Sequence, residues 1–355
     1  GKNSRFTEEE LVRYKHSVND KVKLHREHGT TLIYTFSEFK SRILKYKIIK
    51  KQMPKIAALL TCFNRKNKTV ACLKSLLLTV KNYNNTTNDQ ADISIFLTDD
   101  ACTDGTAQAA KEVCQGEDIH IVQGNGNLFW AGGMRTAWNE ALKQKQEWDF
   151  FLLLNDDTTL HTNALAELMD THRYCIDRYG CSGIYSGITC AVGHPETITY
   201  SGDVFESRAK GKWHRLGPAY EPQMVDQCNA NILLVPYEVL NKIGIFHKGY
   251  IHGGADLDYC MQVRKAGMPA LITAQIIGEC EYDHFSEKEE CERLIRMTLS
   301  ERRKYVYHPT HSDKDYLLFV KRNIPHKYLI SKILRKVRLY CPRLYYYINK
   351  ARGLY

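Results

Sequence analysis

Alternating strand and helix patterns run through the first half of the chain from residue 55 onward. Four short apolar runs predict buried strands, at 55–63, 93–100, 119–123 and 148–157. Each of the first three is followed by apolar positions at helical spacing. Such β-α units in succession predict an α/β fold, with a mostly parallel sheet covered by helices on both faces. After residue 175 the pattern is mixed, and Gly- and Tyr-rich segments at 182–193 and 196–206 predict antiparallel strands.

The residues before this domain are predicted to form an N-terminal helical extension, 1–52, made of two helices. Thr7 and Glu10 have the spacing of a capping box at the start of the first helix. The segment 37–51, SEFKSRILKYKIIKK, is basic and amphipathic, which favours a second helix. The main domain is expected to span 53–305.

A basic, aromatic helical region is predicted at 306–355. Pro342 should divide the helix. The apolar residues of this region recur at spacings of three and four: Leu329, Ile333, Val337, Tyr340, Leu344 and Tyr347. Basic residues lie between them. Two interpretations stay open, namely a helix that contacts an anionic membrane surface and a helix packed on the domain with a solvated basic face.

The charge distribution argues against nucleic acid as a partner. The formal net charge is +10, but ten Lys and Arg and no acidic residue lie within 321–355, which leaves forty basic and forty acidic residues elsewhere. No apolar stretch reaches the roughly 20 residues needed to span a bilayer. Twelve cysteines without a Cys-x-x-Cys spacing favour reduced thiols. We therefore expect a cytoplasmic protein, peripheral on the inner face of the plasma membrane if the tail binds lipid.

Polar residues follow the predicted parallel strands at the edge where ligands bind in such sheets. Thr61, Asn64 and Arg65 end the first strand, Asp99 and Asp100 the second, and Asn155, Asp156 and Asp157 the fourth. One such carboxylate alone is often a helix cap. Together they fit a nucleoside diphosphate, because carboxylates bind the Mg²⁺ or Mn²⁺ ion that neutralises its phosphates.

Five segments resemble, in order, the motifs of family 2 inverting glycosyltransferases of the GT-A fold: TCFNR, LTDDACTDGT, GNGNLFWAGGMR, LLLNDDT and GGADLDYCMQVRKAG. The resemblance covers about 55–285 and is greatest to bacterial enzymes of capsule and O-antigen synthesis, many of them rhamnosyl- or galactosyltransferases. It implies that Thr61, Asn64 and Arg65 line the nucleotide pocket, that Asp99 contacts the base, and that Asp157 binds a divalent metal (Mn²⁺ or Mg²⁺).

The same resemblance implies a catalytic base. Asp256 occupies the position of the base that removes the proton of the acceptor hydroxyl, although Ala255 stands where relatives often have an acidic residue. A helix N-cap is the structural alternative for Asp256. Asn155 replaces the first acidic residue of the metal motif, which leaves Asp156 and water to complete the shell. His284 is a candidate metal ligand by position, or a surface residue.

The segment GNGNLFWAGGMR does not fit a dinucleotide-binding loop, because Phe129 stands in the place of the third glycine. In a transferase it would approach the donor sugar, with Asn127, Trp130 and Arg135 as contacts. The alternative for Trp130 is a position in the hydrophobic core, and the alternative for Arg135 is a position on a solvated helix face.

The expected function is metal-dependent, inverting transfer of a sugar from a UDP- or dTDP-sugar to a hydroxyl of a surface polysaccharide or lipid-linked glycan. A sugar-phosphate nucleotidyltransferase is the first alternative, but TCFNRKNKT lacks its glycine-rich phosphate loop. The second is an inactive glycan- or membrane-binding module, against which Asp157 and Asp256 both argue. The sugar, the acceptor and the oligomeric state are left open by the sequence.

Overall fold

The computed structural model describes residues 30–35, 45–50, 53–87, 89–207, 212–282 and 285–354. Ahead of the main unit, strands β1 (Thr30–Thr35) and β2 (Lys45–Lys50) pair antiparallel, with Thr30 opposite Lys50. The second helix predicted over 37–51 is therefore wrong at Lys45–Lys50. The segment KYKIIK contains two β-branched residues and a tyrosine, which favour a strand once a partner is available. The helix predicted from Thr7 lies outside the described residues.

Residues Lys55–Tyr355 form one compact unit around a central sheet. Strands β3 (Lys55–Cys62), β4 (Asp92–Asp99), β5 (Asp118–Gln123) and β6 (Phe150–Leu154) are parallel in the order β6-β3-β4-β5. This is the parallel sheet predicted from the β-α pattern. Their carboxyl ends meet at one edge.

The other half of the sheet is mixed. It contains the short β7 (Thr159–Leu160), β8 (Ile184–Ala191), β9 (His194–Tyr200), β12 (Gln223–Met224), β14 (Ile232–Pro236) and β15 (Ala270–Glu279). β14 joins the two halves by antiparallel pairing with β6 and β8, whereas β15 runs parallel to β8. A separate small sheet has the order β11 (Lys212–Arg215), β10 (Gly202–Ser207), β13 (Gln227–Cys228).

Helices cover both faces of the sheet, and the central strands β3, β6 and β14 are mostly apolar and buried for that reason. The helices of this layer are α1 (Lys66–Thr86), α2 (Thr106–Val113), α3 (Phe129–Lys143), α4 (Ala164–Tyr179), α5 (Tyr237–Ile243) and α6 (Ala255–Lys265). In β3, Ala57 and Leu59 belong to the core cluster that contains α3, and Ile56, Ala58 and Leu60 to the cluster that contains α1. Successive side chains of a strand point to opposite faces, so one strand supplies both cores.

Five further helices complete the unit: α7 (Glu287–Arg296), α8 (Leu299–Tyr307), α9 (Asp313–Asn323), α10 (Tyr328–Tyr340) and α11 (Pro342–Ala351). The break between α10 and α11 at Pro342 confirms the predicted division. Buried ion pairs join these helices. Arg338 of α10 is 3% exposed and contacts Glu290 of α7 at 2.5 Å and Asp313 of α9 at 3.0 Å. In the described part of the chain, no helix has the length and apolarity to cross a membrane.

Candidate active site

The carboxyl ends of the parallel strands open onto a cavity of about 470 Å³. It is lined by residues that follow β3, β4, β5 and β6 together with residues of two later loops: Thr61, Cys62, Phe63, Arg65, Asp100, Gly126, Asn127, Phe129, Trp130, Asp156, His252, His308 and Thr310. We call this the donor cavity. Four of the eight predicted strand-end residues therefore line one cavity: Thr61, Arg65, Asp100 and Asp156.

An arginine holds the two aspartates that follow β6. Arg65 Nη1 lies 2.5 Å from Asp157 Oδ2 and 3.6 Å from Asp156 Oδ1. Asp156 also accepts a hydrogen bond from Thr69 Oγ1 at 3.0 Å. Burial raises the pKa of Asp156 to about 6, and the charge of Arg65 opposes that rise. Two adjacent carboxylates at a buried strand end are thus kept together by one guanidinium.

The two aspartates that end β4 have different surroundings. Asp99 is buried, and its oxygens accept from the backbone N–H of Cys102 at 2.8 Å and from Gln123 Nε2 at 3.1 Å. Asp100 is the residue that lines the cavity. Its carboxylate accepts backbone N–H groups of Gly126, Leu128 and Phe129 at 2.7 to 3.1 Å. The structure therefore brings Asp100, rather than the expected Asp99, to the cavity wall, where it shapes the loop after β5.

Three non-glycine residues of the described chain have positive φ: two lie in the loops that follow β3 and β4, and the third begins α3, directly after the loop that follows β5. They are Asn64 (φ 50°), Ala101 (φ 60°) and Phe129 (φ 52°). Such conformations are costly for residues with a side chain and cluster at sites that need a fixed geometry. The strain gives an independent indication that these loops form a functional site.

Asn64 holds the loop after β4 instead of facing the cavity. Its Oδ1 accepts the backbone N–H of Thr103 at 2.7 Å. The Sγ atoms of Cys62 and Cys102 lie 3.8 Å apart next to Asp99. Cys62 lines the cavity, so a pair of thiols lies at the end of β3. Nothing in the sequence spacing of the cysteines indicated that pair.

The loop and helix after β5 supply Asn127 and Trp130 to the cavity wall. Trp130 Nε1 donates to Asn155 Oδ1 at 2.7 Å, and its ring packs against Phe246. Trp130 thus has both the core contact and the site position that the sequence left open. Arg135 instead donates to the backbone carbonyl of His247 at 3.3 Å and lies outside the set that lines the cavity.

Asp256 lies in the first turn of α6, after Gly254 in the left-handed conformation (φ 78°). Its carboxylate accepts the backbone N–H of Leu257 at 2.9 Å and of Ala230 at 3.3 Å. Burial raises the pKa of Asp256, which strengthens it as a base. Asp258 forms an ion pair with Arg322 at 3.0 Å, so its role is structural.

The loop ahead of Asp256 is held from two sides. Asp315 of α9 is buried and accepts the backbone N–H groups of Ile251, His252 and Gly253 at 2.8 to 3.2 Å. The Ile251 carbonyl accepts from Ala131 at the start of α3 at 3.1 Å. This arrangement fixes His252 at the donor cavity.

Sequence reasoning missed His252, His308 and Thr310 as cavity residues. The rings of His252 and His308 both meet the edge or face of Phe129, at centroid distances of 6.4 and 5.9 Å. His252 stands directly before the Gly-Gly turn, a signal that was available. His308 and Thr310 belong to the C-terminal region, where no motif pointed to the site. His284 lies outside the described residues.

The carboxylates present fit a divalent cation. Asp156 lines the cavity and Asp157 follows it, and both supply hard oxygen ligands whose charges are balanced by the Arg65 guanidinium. Asp157 is 15% exposed at its side chain and therefore accessible. The other carboxylate oxygen of Asp157, Oδ1, lies 3.7 Å from Cys280 Sγ.

Part of the chain is similar to known proteins. Residues 58–187 match the model of the family Glycosyl transferase family 2. The low-salt glycan biosynthesis hexosyltransferase Agl10 of Haloferax volcanii is 22% identical over 182 residues, which are 48% of this chain and 52% of that protein. The chain thus spans about half the length of that relative.

Two solved structures are similar in outline. TarS 1–349 of S. aureus in complex with UDP-GlcNAc has 14% identity and a TM-score of 0.46, over 76% of this chain and 73% of that one. The mannosyltransferase PcManGT of Pyrobaculum calidifontis, in complex with GDP-Man and Mn²⁺, has 13% identity and a TM-score of 0.46, over 86% and 81%. On the family match, residues 58–187 of this chain belong to glycosyltransferase family 2.

Proposed function

We propose that this chain is an inverting, metal-dependent glycosyltransferase that moves a hexose or deoxyhexose from a nucleoside-diphosphate donor to a hydroxyl of a glycan acceptor. The observation that carries the proposal is the pair of adjacent carboxylates after β6: Asp156 lines a cavity of about 470 Å³, and Asp157 beside it is bound by Arg65, which lines the same cavity. The family match over the same strands supports it.

In this proposal the donor cavity holds the nucleotide diphosphate. Thr61 and Asp100 line the end of the cavity formed by β3 and β4, and Asn127 and Trp130 line the side formed by the loop after β5. Asp157, with Asp156, would hold Mn²⁺ or Mg²⁺, which neutralises the diphosphate as it leaves. Arg65, which lines the cavity, would then contact the phosphates, since a cation would take its place as the partner of the carboxylates.

Asp256 is assigned as the base. It takes the proton of the acceptor hydroxyl while that oxygen forms a bond to the anomeric carbon and the bond to the diphosphate oxygen breaks on the opposite face. Its raised pKa suits the task, because a more basic carboxylate accepts a proton more readily. The Gly253–Gly254 turn sets the start of α6, and so the position of Asp256.

Donor binding tests this proposal. UDP-, dTDP- and GDP-sugars are screened for thermal stabilisation with Mn²⁺, and a donor at a hundred times its Kd should stabilise the protein by about 2.7 kcal/mol. EDTA and Asp157→Asn should remove the stabilisation, whereas the exposed Asp177→Asn on α4 should keep it. Stabilisation by no donor, or equal stabilisation with EDTA, would contradict the proposal.

We also propose that the C-terminal region binds an anionic lipid surface. The predicted apolar stripe faces outward: Leu329 is 73% exposed, Ile333 57% and Tyr347 66%. Exposed lysines lie beside it, among them Lys332 and Lys336. This combination of apolar contact and positive charge is complementary to an anionic bilayer surface.

Co-sedimentation with vesicles of phosphatidylcholine with and without phosphatidylserine tests the lipid surface. Lys332→Glu with Lys336→Glu should weaken binding to the anionic vesicles by at least about 1 kcal/mol for each lysine. Lys111→Glu, at an exposed position of α2, serves as the control. Equal binding of the double variant, or no preference for phosphatidylserine, would refute the assignment.

A further inference from the structure

A second cavity, of about 490 Å³, lies next to the donor cavity. Its walls come from the β10–β11 hairpin, from the turn before α6 and from the C-terminal helices. Thr310 lines both cavities, and Gly253 in the second cavity follows His252 in the first. A volume of this size is within the range of about 300–1,000 Å³ that is usual for small-molecule sites.

Aromatic side chains form much of this second cavity. Trp213 of β11 is 49% exposed and pairs in register with Phe205 of β10. Tyr316 and Phe319 of α9 line the same cavity. A tryptophan with half of its surface open is unusual, since such rings are mostly buried. Its electron-rich face attracts the weakly positive C–H groups on one side of a pyranose ring, as it does the edge of another aromatic ring.

The charges of this cavity argue against an anionic ligand. Three carboxylates, of Glu290, Asp313 and Asp315, line it against the two guanidinium groups of Arg335 and Arg338. Both arginines are engaged, Arg338 with Glu290 and Asp313, and Arg335 with Asp313 at 3.5 Å. A lipid phosphate or another anion would meet a net negative surface without a spare positive partner.

We propose that the second cavity is an acceptor site that binds a neutral sugar ring, with Trp213 as the stacking residue. The assignment rests on the proposed transferase function and specifies its substrate class, a glycan that presents an uncharged terminal pyranose. The turn at Gly253 and Gly254 lines this cavity and leads directly into Asp256. Leu257, the residue after Asp256, lines the cavity as well, so the ring stacked on Trp213 shares the cavity with the first turn of α6, which carries the base.

Saturation-transfer difference NMR on the whole chain, without nucleotide, tests this site. The probes are methyl α-D-mannopyranoside, methyl β-D-galactopyranoside, methyl β-D-glucopyranoside and methyl α-L-rhamnopyranoside. We expect at least one to bind, with saturation concentrated on the protons of one ring face. Trp213→Ala should weaken that binding roughly fivefold, the value of one aromatic contact. Trp213→Phe should keep part of it.

Tyr220→Ala is the control, because Tyr220 is a fully exposed aromatic residue outside the cavity lining. Binding of none of the four glycosides, or equal binding to Trp213→Ala, overturns the acceptor site. Displacement of the glycoside by inorganic phosphate at equal concentration also overturns it, since that result requires an anion site. Donor stabilisation measured on the same sample separates the cases: donor binding without glycoside binding refutes only this inference, and glycoside binding without donor binding refutes only the proposed function.

Discussion

Asp315→Asn should destabilise the protein and loosen the loop that carries His252. Asp315 is 3% exposed, and its carboxylate accepts three backbone N–H groups, those of Ile251, His252 and Gly253. Oδ2 accepts all three N–H groups, and Oδ1 also accepts that of Ile251. With the amide oxygen in the place of Oδ2, three hydrogen bonds lose the charge, at about 1 kcal/mol each, and the NH₂ group faces the N–H of Ile251. The expected loss is about 3 kcal/mol.

Thermal and urea unfolding measure this loss. At about 2 °C for each kcal/mol in a unit of this size, the Tm should fall by about 6 °C. Asp177→Asn makes the same chemical change at an exposed position of α4 and should leave the Tm unchanged. A change in unfolding free energy of less than about 0.5 kcal/mol for Asp315→Asn would show that the carboxylate does not hold the loop.

Three other substitutions test the core and the site. A Cβ at Gly133 of α3 would lie 1.9 Å from Thr61 Oγ1, so Gly133→Ala should lower the free energy of unfolding by about 1–3 kcal/mol. Gly217→Ala is the control, because a Cβ there meets no atom within 4 Å. Equal Tm values for the two variants would contradict the close approach of Gly133 to Thr61. Burial lowers the pKa of His172 to about 4. The unfolded state, with a pKa of about 6.5, therefore binds the extra proton first, and stability should fall between pH 6.5 and 4 by up to about 3 kcal/mol. The dependence of unfolding free energy on pH in this range should be weaker in His172→Gln. An unchanged pH dependence in that variant would mean that other groups cause it. Asp256→Asn should lower turnover, measured as nucleotide release, by at least about 100-fold while calorimetry shows unchanged donor affinity. Full turnover in that variant would refute the base assignment.

The sequence predicted the sheet and the position of the site because parallel strands carry their own signal. The buried strand β6 is apolar at every position and β3 at all but Lys55 and Thr61, and the polar residues at the end of each strand must lie at the same edge. The sequence could not show which of two neighbouring aspartates faces the cavity. Asp99 is the last residue of β4 and turns inward to Gln123, whereas Asp100 turns to the loop after β5. Two adjacent aspartates give no sequence signal for that difference.

The C-terminal region shows a second limit. Its helical periodicity and the break at Pro342 were predicted, but the face that packs inward was not. Arg338 belongs to the basic pattern, yet it is buried, because Glu290 and Asp313 lie far away in sequence and close in space. Buried arginines need such partners, and only the tertiary structure supplies them.

The helices of this region connect the two proposed surfaces. On α10, Arg335 and Arg338 face the acceptor cavity, whereas Leu329 and Ile333 face outward. Since successive residues of a helix are about 100° apart, one helix can serve a cavity and a membrane surface at once. A lipid-linked glycan presents the same two features, a neutral sugar and a lipid next to it. The acceptor site and the lipid surface are therefore consistent with one substrate, whose sugar reaches Trp213 while its lipid stays in the bilayer.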